Sequence, residues 1–161
     1  MKRLIGIIAA LAVVLLAAQA FAAGSCGTPT LYSTSDGGRV IELRISCTSD
    51  SSDGSVPDVM ITESGQIKYG GFKITDVTTV NPGSSQPTSA GAISIADALG
   101  RQLVGTTVGD TISHSTSASG KGYLTIDRGS SQRRVTAPPI TVSSGAIGNS
   151  KSFVYYIKLE K

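Results

Sequence analysis

The stretch that decides the fold is VIELRISCT, which runs from Val40 to Thr48. From Ile41 onward, apolar side chains occupy the odd positions and polar side chains the even ones. Successive side chains of an extended chain point to opposite faces. The alternation therefore predicts a β-strand with one buried face and one wet face. It also points Cys47 toward the buried side, where a disulfide would be protected.

Outward from this strand, short apolar segments recur between turn signals, and no segment has a helical stripe. The turn signals include Asp36-Gly37-Gly38 and Asn81-Pro82-Gly83, and residues 49–58 and 113–122 are predicted to be polar loops. Further strands are predicted at residues 31–32, 72–80, 92–96, 101–104, 123–128, 140–143 and 153–159. The pattern predicts an all-β protein, a single antiparallel β-sandwich of about seven short strands.

The N-terminus has the three parts of an export signal. Lys2 and Arg3 precede an apolar run at residues 5–18, and Ala20-Phe21-Ala22 supplies the small residues of a cleavage site. A bilayer-spanning helix needs about 20 apolar residues, and this run is shorter. We therefore expect a cleaved signal helix at residues 1–22, a single domain at residues 23–161 and no membrane span after cleavage. The protein is expected to be exported, to the periplasm, the cell surface or the medium.

Two cysteines follow the leader, Cys26 and Cys47. In an oxidising compartment such a pair predicts one disulfide. Closing a loop of about 20 residues is worth about 3 kcal/mol in the chain-entropy estimate. The alternative is a lipoprotein, since Cys26 follows Ala23-Gly24-Ser25, a weak match to a lipidation site. Lipid on Cys26 would leave Cys47 unpaired.

The charge balance argues against a nucleic-acid partner. Of the 14 Lys and Arg residues, two lie in the leader, so 12 basic side chains face 11 acidic ones in the remainder. Binding to phosphates needs clustered Lys and Arg. The close pair here is Arg133-Arg134, which we interpret as a solvated loop pair.

The sequence contains no convincing catalytic constellation, so the protein is expected not to be an enzyme and to need no cofactor. The single histidine, His114, falls in the predicted 113–122 loop and is predicted to be a surface residue. A Gly-x-Ser-x-Gly elbow is absent. The residues around Gly120-Lys121 fail the spacing of a phosphate-binding loop.

Two weaker binding signals remain. Asp50, Asp53 and Asp58 cluster in the 49–58 loop, but the spacing supplies too few carboxylates and no bidentate Glu for a calcium loop, so no metal is expected. The protein has no Trp. Stacking on a sugar would therefore need tyrosines outside the last strand, which must bury one of its faces. The weak ligand-binding candidates are Tyr32, Tyr69 and Tyr123.

The order of motifs resembles a set of small phage- and prophage-encoded proteins of unassigned role. The residues that carry the resemblance are Cys47-Thr48-Ser49-Asp50, residues 53–58, Asn81-Pro82-Gly83, Pro87-Thr88, residues 93–100 and the apolar C-terminal strand. It covers roughly residues 40–159. The resemblance implies a compact β-sandwich that acts through surface contacts, and it supplies no catalytic residues. The export signal departs from the pattern, because virion components assemble in the cytoplasm.

These observations favour an exported, non-catalytic structural or adhesive protein. One alternative is a pilus-like subunit that exchanges strands, although the chain ends Leu159-Glu160-Lys161, without the usual aromatic residue. Another alternative is a glycan- or ligand-binding module. The partner, protein or glycan, is not identified, and self-association stays open.

The intact mass of the secreted protein tests the export signal and the disulfide together. We expect a chain that starts at Ala23 and is lighter than its reduced form by the two hydrogens lost in the disulfide. Light scattering on the same sample distinguishes an assembling subunit from a monomeric binding module. A chain that starts at Cys26 and carries acyl groups would contradict this prediction.

Overall fold

The structure, a computed structural model, describes residues 23–81, 87–89, 91–104, 112–114, 121–125 and 134–161, with only the backbone for residues 112–113 and 121–125. Over these residues the chain forms two antiparallel sheets that pack against each other, so the predicted all-β sandwich is confirmed. The predicted leader, residues 1–22, lies outside the described residues. Within them, no helix is long and apolar enough to cross a membrane.

Eleven strands are present in the described part of the chain, more than the seven or so predicted, because several are only two or three residues long. The strands are β1 Ser25–Cys26, β2 Thr30–Ser35, β3 Val40–Thr48, β4 Val56–Ile61, β5 Lys73–Val80, β6 Ala92–Asp97, β7 Gln102–Val104, β8 Ile112–Ser113, β9 Lys121–Thr125, β10 Ile140–Ser144 and β11 Ser152–Glu160. The bounds of β3 are those predicted, and the predicted turn before it, at Asp36–Gly38, is a single 3₁₀ turn.

The six-stranded sheet is built around β11, which pairs with β3 on one side and with β5 on the other. Its order is β1-β3-β11-β5-β9, and β2 also pairs with β3. The β3–β11 register runs unbroken over nine residue pairs, from Thr48 opposite Ser152 to Val40 opposite Glu160. Unbroken register keeps every second side chain on the same face. The odd residues of β3 therefore all reach the core.

The second sheet has the order β4-β10-β6-β7, with β8 also paired to β6. Strand β4 was missed, because residues 49–58 were predicted to be a polar loop. Val56 and Val59 lie three residues apart and are both buried, which breaks the simple alternation. The register supplies the reason: Val59 pairs with Val142 and Val56 with Ser144, so β4 carries one extra residue at a bulge.

The core lies between the sheets and is built from aliphatic and aromatic side chains. The largest fully buried side chains are Tyr69, Tyr155, Phe153, Leu43, Ile45, Ile61, Ile74, Ile93, Ile95, Ile140 and Ile147. Both sheets contribute to this set, so neither sheet is stable without the other.

The disulfide joins β1 to β3, as predicted. Cys26 pairs in register with Cys47, and their Cα atoms are 4.1 Å apart. The bond holds the N-terminal segment against the sandwich. Gly24 fits there because a side chain would meet the carbonyl oxygen of Ser55 at 2.8 Å.

Two turns position the ends of the second sheet. Gly54 has φ +72°, and a Cβ there would lie 2.7 Å from the backbone of Gly148, so only glycine allows these loops to meet. The predicted turn at residues 97–100 is confirmed by the Gly100 N–H, which donates to the Asp97 carbonyl at 2.9 Å. The carboxylate of Asp97 closes the turn by accepting from the backbone N–H and Nε of Arg101.

Two neighbouring positions on β3 test the division of this strand between core and solvent. Ile45 is buried and Ser46 is exposed. Ile45→Ala should lower the free energy of unfolding by about 2 to 5 kcal/mol, because it leaves a cavity between the sheets. Ser46→Ala should change it by no more than about 0.5 kcal/mol. Urea unfolding measures both, and equal effects would contradict the assignment of faces.

Candidate functional site

The outer face of the six-stranded sheet carries a row of register-paired residues. Thr30 of β2 pairs with Arg44, Arg44 pairs with Tyr156, and Tyr156 pairs with Thr78. Residues paired in an antiparallel sheet lie side by side on the same face. Tyr156 is thus one of the two inner residues of a row that crosses four strands.

Tyr32 lies next to this row. The β2–β3 register shifts between Leu31 and Ser33, so Tyr32 is an extra residue in β2 at a bulge. Its ring centroid is 5.1 Å from that of Tyr156, and the two ring planes meet at 76°. This T-shaped contact is a favoured arrangement of aromatic rings. We call Tyr32, Arg44, Thr78 and Tyr156 the tyrosine face.

Tyr32 remains 59% exposed despite this contact, and Tyr156 is half-buried. Arg44 is exposed and forms no ion pair with any residue that the structure describes. The tyrosine face therefore presents an aromatic ring held by its neighbour, beside an exposed guanidinium group.

A second row of outward residues on the same strands carries mixed charge. Lys158 pairs in register with Glu42 on one side and with Asp76 on the other. The Lys158 ammonium lies 3.0 Å from the Glu160 carboxylate, and the Ser33 hydroxyl donates to Glu42 at 3.1 Å. Burial raises the pKa of the Asp76 carboxyl above its usual value. The surroundings of the tyrosine face thus have no strong excess of either sign.

The three predicted tyrosines have different positions. Tyr32 is exposed, as a stacking residue must be. Tyr69 is fully buried, its hydroxyl donates to the Ile61 carbonyl, and burial raises its pKa, so it is not available to stack on a ligand. Tyr123 lies on β9 opposite Thr78, and its side chain lies outside the part that the structure describes.

Tyr156 was missed by sequence reasoning, which assigned the last strand to the core as a whole. The signal was present in the alternation of β11. Phe153, Tyr155 and Ile157 are buried, whereas Tyr156 and Lys158 are only half-buried. The consecutive tyrosines of this strand therefore face opposite sides of the sheet.

The acidic cluster stabilises a turn. The Asp50 carboxylate accepts from the backbone N–H of Ser52 at 2.6 Å, and the Asp53 carboxylate accepts from that of Ser55 at 2.8 Å. Hydrogen bonds from the Ser52 side chain and backbone lower the pKa of Asp50. Asp58 lies apart, exposed on β4. No group of three or more His, Cys, Asp or Glu among the described residues is placed to hold a metal ion.

The prediction that His114 is a surface residue is wrong. Only 2% of it is exposed, and its ring packs edge-on against Phe153 with centroids 4.6 Å apart. The cause is β8, which pairs with β6, so that the His114 N–H donates to the Gly91 carbonyl at 3.1 Å. Burial lowers the pKa of His114 to about 4.

His114 contacts a serine, but among the described residues the pair lacks the third group that orients the base of a catalytic triad. The Ser144 hydroxyl donates its one proton to the Gly145 carbonyl at 2.9 Å. In the tautomer that carries its proton on Nε2, His114 donates to Ser144 Oγ, which is 3.0 Å away. Nδ1 has no hydrogen-bond partner among the described residues, so no group orients the ring as a base. We interpret this pair as structural.

No family model, curated protein or solved structure matches the chain. The resemblance to small phage-encoded β-sandwich proteins therefore stays a prediction. Function is inferred from the geometry of the chain itself, and the tyrosine face is the candidate site.

The buried histidine makes stability depend on pH. Because the pKa of His114 is about 4 in the folded state and about 6.5 in the unfolded state, the unfolded state binds the proton more tightly. The free energy of unfolding should fall by up to about 3 kcal/mol as the pH decreases from 6.5 to 4. Urea unfolding at intervals of half a pH unit measures this slope.

The control for this prediction is His114→Gln, which keeps an amide donor for Ser144 but cannot titrate. Carboxylates with lowered pKa values, such as Asp50 and Asp97, lose their contributions below about pH 4.5 in both proteins. The slope between pH 6.5 and 4.5 should therefore disappear in the variant. An unchanged slope would contradict the role given to His114.

Proposed function

We propose that the protein is an exported, non-catalytic surface component, structural or adhesive, that acts through contacts made by its tyrosine face. The observation that carries this proposal is the exposed ring of Tyr32, which is held by Tyr156 on a mostly polar sheet surface. An aromatic side chain has only two rotatable side-chain bonds, so a fixed ring offers contact area at a low cost in conformational entropy.

The tyrosine face also has a rigid support. Strand β11, which carries Tyr156, is paired along both of its sides, with β3 and with β5. Tyr156 and Arg44 therefore lie at fixed positions on regular strands, unlike residues on loops. A binding surface held by regular elements loses less freedom when a partner binds.

The covalent structure supports action outside the cytoplasm. The disulfide between Cys26 and Cys47 is compatible with an exported protein, because such bonds persist in oxidising compartments. It fixes β1 against β3 on the β2 side of the six-stranded sheet, where Tyr32 also lies. Reduction should therefore loosen the edge of the sheet on which Tyr32 also lies.

The strand-exchange alternative has less support. In a donor–acceptor system the final strand would leave its own domain or fill a gap in a neighbour. Here β11 is the central strand of its sheet and contributes Phe153, Tyr155, Ile157 and Leu159 to the core. Releasing it would separate β3 from β5 and expose these side chains.

A binding assay on fragments of the producing cell's envelope tests the proposal. The double variant Tyr32→Ser/Tyr156→Ser should bind at least about tenfold more weakly than the parent, because it removes both aromatic rings. The matched control, Met60→Ser/Leu99→Ser, removes two exposed apolar side chains from the other sheet and its turn, and should bind like the parent. Co-sedimentation measures all three proteins.

Urea unfolding of each variant separates loss of binding from loss of fold. Equal binding by the tyrosine variant and the parent would contradict the proposal. So would equal losses in the two double variants, because binding would then follow exposed apolar area in general.

A further inference from the structure

We infer that the tyrosine face binds an uncharged polysaccharide, an inference that rests on the proposed function of this face and names its ligand. The flat C–H side of a sugar ring packs against the face of an aromatic ring, which carries partial negative charge. Tyr32 is 59% exposed and has its orientation fixed by the T-shaped contact with Tyr156 at 5.1 Å. These are the properties that a stacking residue needs.

Hydrogen-bonding groups lie on both sides of Tyr156. Arg44 pairs in register with Tyr156 on β3, and Thr78 pairs with it on β5. The guanidinium of Arg44 is exposed and has no ion-pair partner within the described ranges. Its planar fork donates to two oxygens at once, which suits neighbouring hydroxyl groups on a sugar.

The length of the row suits a chain better than a single sugar. Register pairs continue from Thr30 on β2 through Arg44 and Tyr156 to Thr78 on β5. Neighbouring strands lie about 4.8 Å apart, so three strand intervals span about 14 Å. A polymer of sugars laid across the strands could contact the row at several points, which would offset the weakness of each contact.

The charges favour a neutral ligand. Beside the row, Glu42, Asp76 and Glu160 surround Lys158, which is already 3.0 Å from the Glu160 carboxylate. A polyanion would meet these carboxylates, and a polycation would meet Arg44. Because like charges in contact oppose binding, the mixed surface selects against both.

The same face is a poor core for a protein interface. Stable protein interfaces have an apolar centre surrounded by a polar rim. The other large exposed apolar residues, Met60 and Leu99, lie on β4 and in the turn after β6, away from the tyrosine face. Around Tyr32 and Tyr156 most outward residues are polar or charged, and the apolar ones, Val80 and Val154, pair with each other in register, with Val154 only 8% exposed.

The first experiment treats the envelope fragments of the binding assay before adding the protein. Periodate, which cleaves the vicinal diols of sugars, should abolish binding, and proteinase K should leave it intact. Binding of the parent should not change between 50 and 500 mM NaCl, because a neutral ligand releases no counterions. Loss of binding after proteinase K but not after periodate would overturn the inference in favour of a protein partner.

The second experiment uses soluble polysaccharides in affinity gel electrophoresis. Neutral galactomannan or mixed-linkage glucan should retard the protein, whereas polygalacturonate and chitosan should not. Tyr32→Ala should weaken binding by about tenfold and Arg44→Gln by about fivefold. Tyr32→Phe, which keeps the ring, should bind like the parent. Lys68→Gln, which removes an exposed charge outside the tyrosine face, should have no effect.

The outcomes separate this inference from the proposed function. If the double tyrosine variant loses envelope binding but periodate has no effect, the face is the binding site and the polysaccharide inference is wrong. Retardation by polygalacturonate alone, with affinity that falls at high salt, would also overturn it. If the tyrosine variants bind the envelope like the parent, both proposals fail.

Discussion

The double pairing of β11 is the interaction on which the rest of the structure depends. This strand hydrogen-bonds to β3 over its whole length and to β5 on its other side. It therefore fixes which residues of all three strands face the core. Because side chains alternate along an extended chain, this register places Tyr155 in the core and Tyr156 on the outer face. A register slip of one residue would exchange the core and the tyrosine face.

The same register explains why the polar side chain of His114 lies inside the sandwich. Phe153 and Tyr155 project inward, and His114 packs against both of their rings. The aromatic rings keep water from the imidazole, which lowers its pKa and leaves it neutral at physiological pH. Ser144 supplies the hydrogen bond that makes this burial tolerable. The single histidine therefore belongs to the packing of the sandwich.

The outer face combines an exposed aromatic pair with a neighbouring exposed guanidinium. Tyr32 is exposed because a bulge in β2 adds a residue opposite β3, and it stays ordered because Tyr156 contacts its ring. Isolated exposed apolar residues such as Leu99 need no explanation. The fixed aromatic pair lies beside a guanidinium that has no ion-pair partner among the described residues, and the proposed contact with a sugar-rich surface would account for both features.

The sequence by itself determined the fold class, the bounds of β3, the disulfide and the exposure of Tyr32, because alternation and turn residues are properties of a short stretch of chain. Only the tertiary structure decided the positions of β4, Tyr69, His114 and Tyr156. Strand β4 depends on a bulge opposite β10, and His114 is buried because β8 pairs with β6. These pairings join distant residues, and no local pattern specifies which strand will be the neighbour.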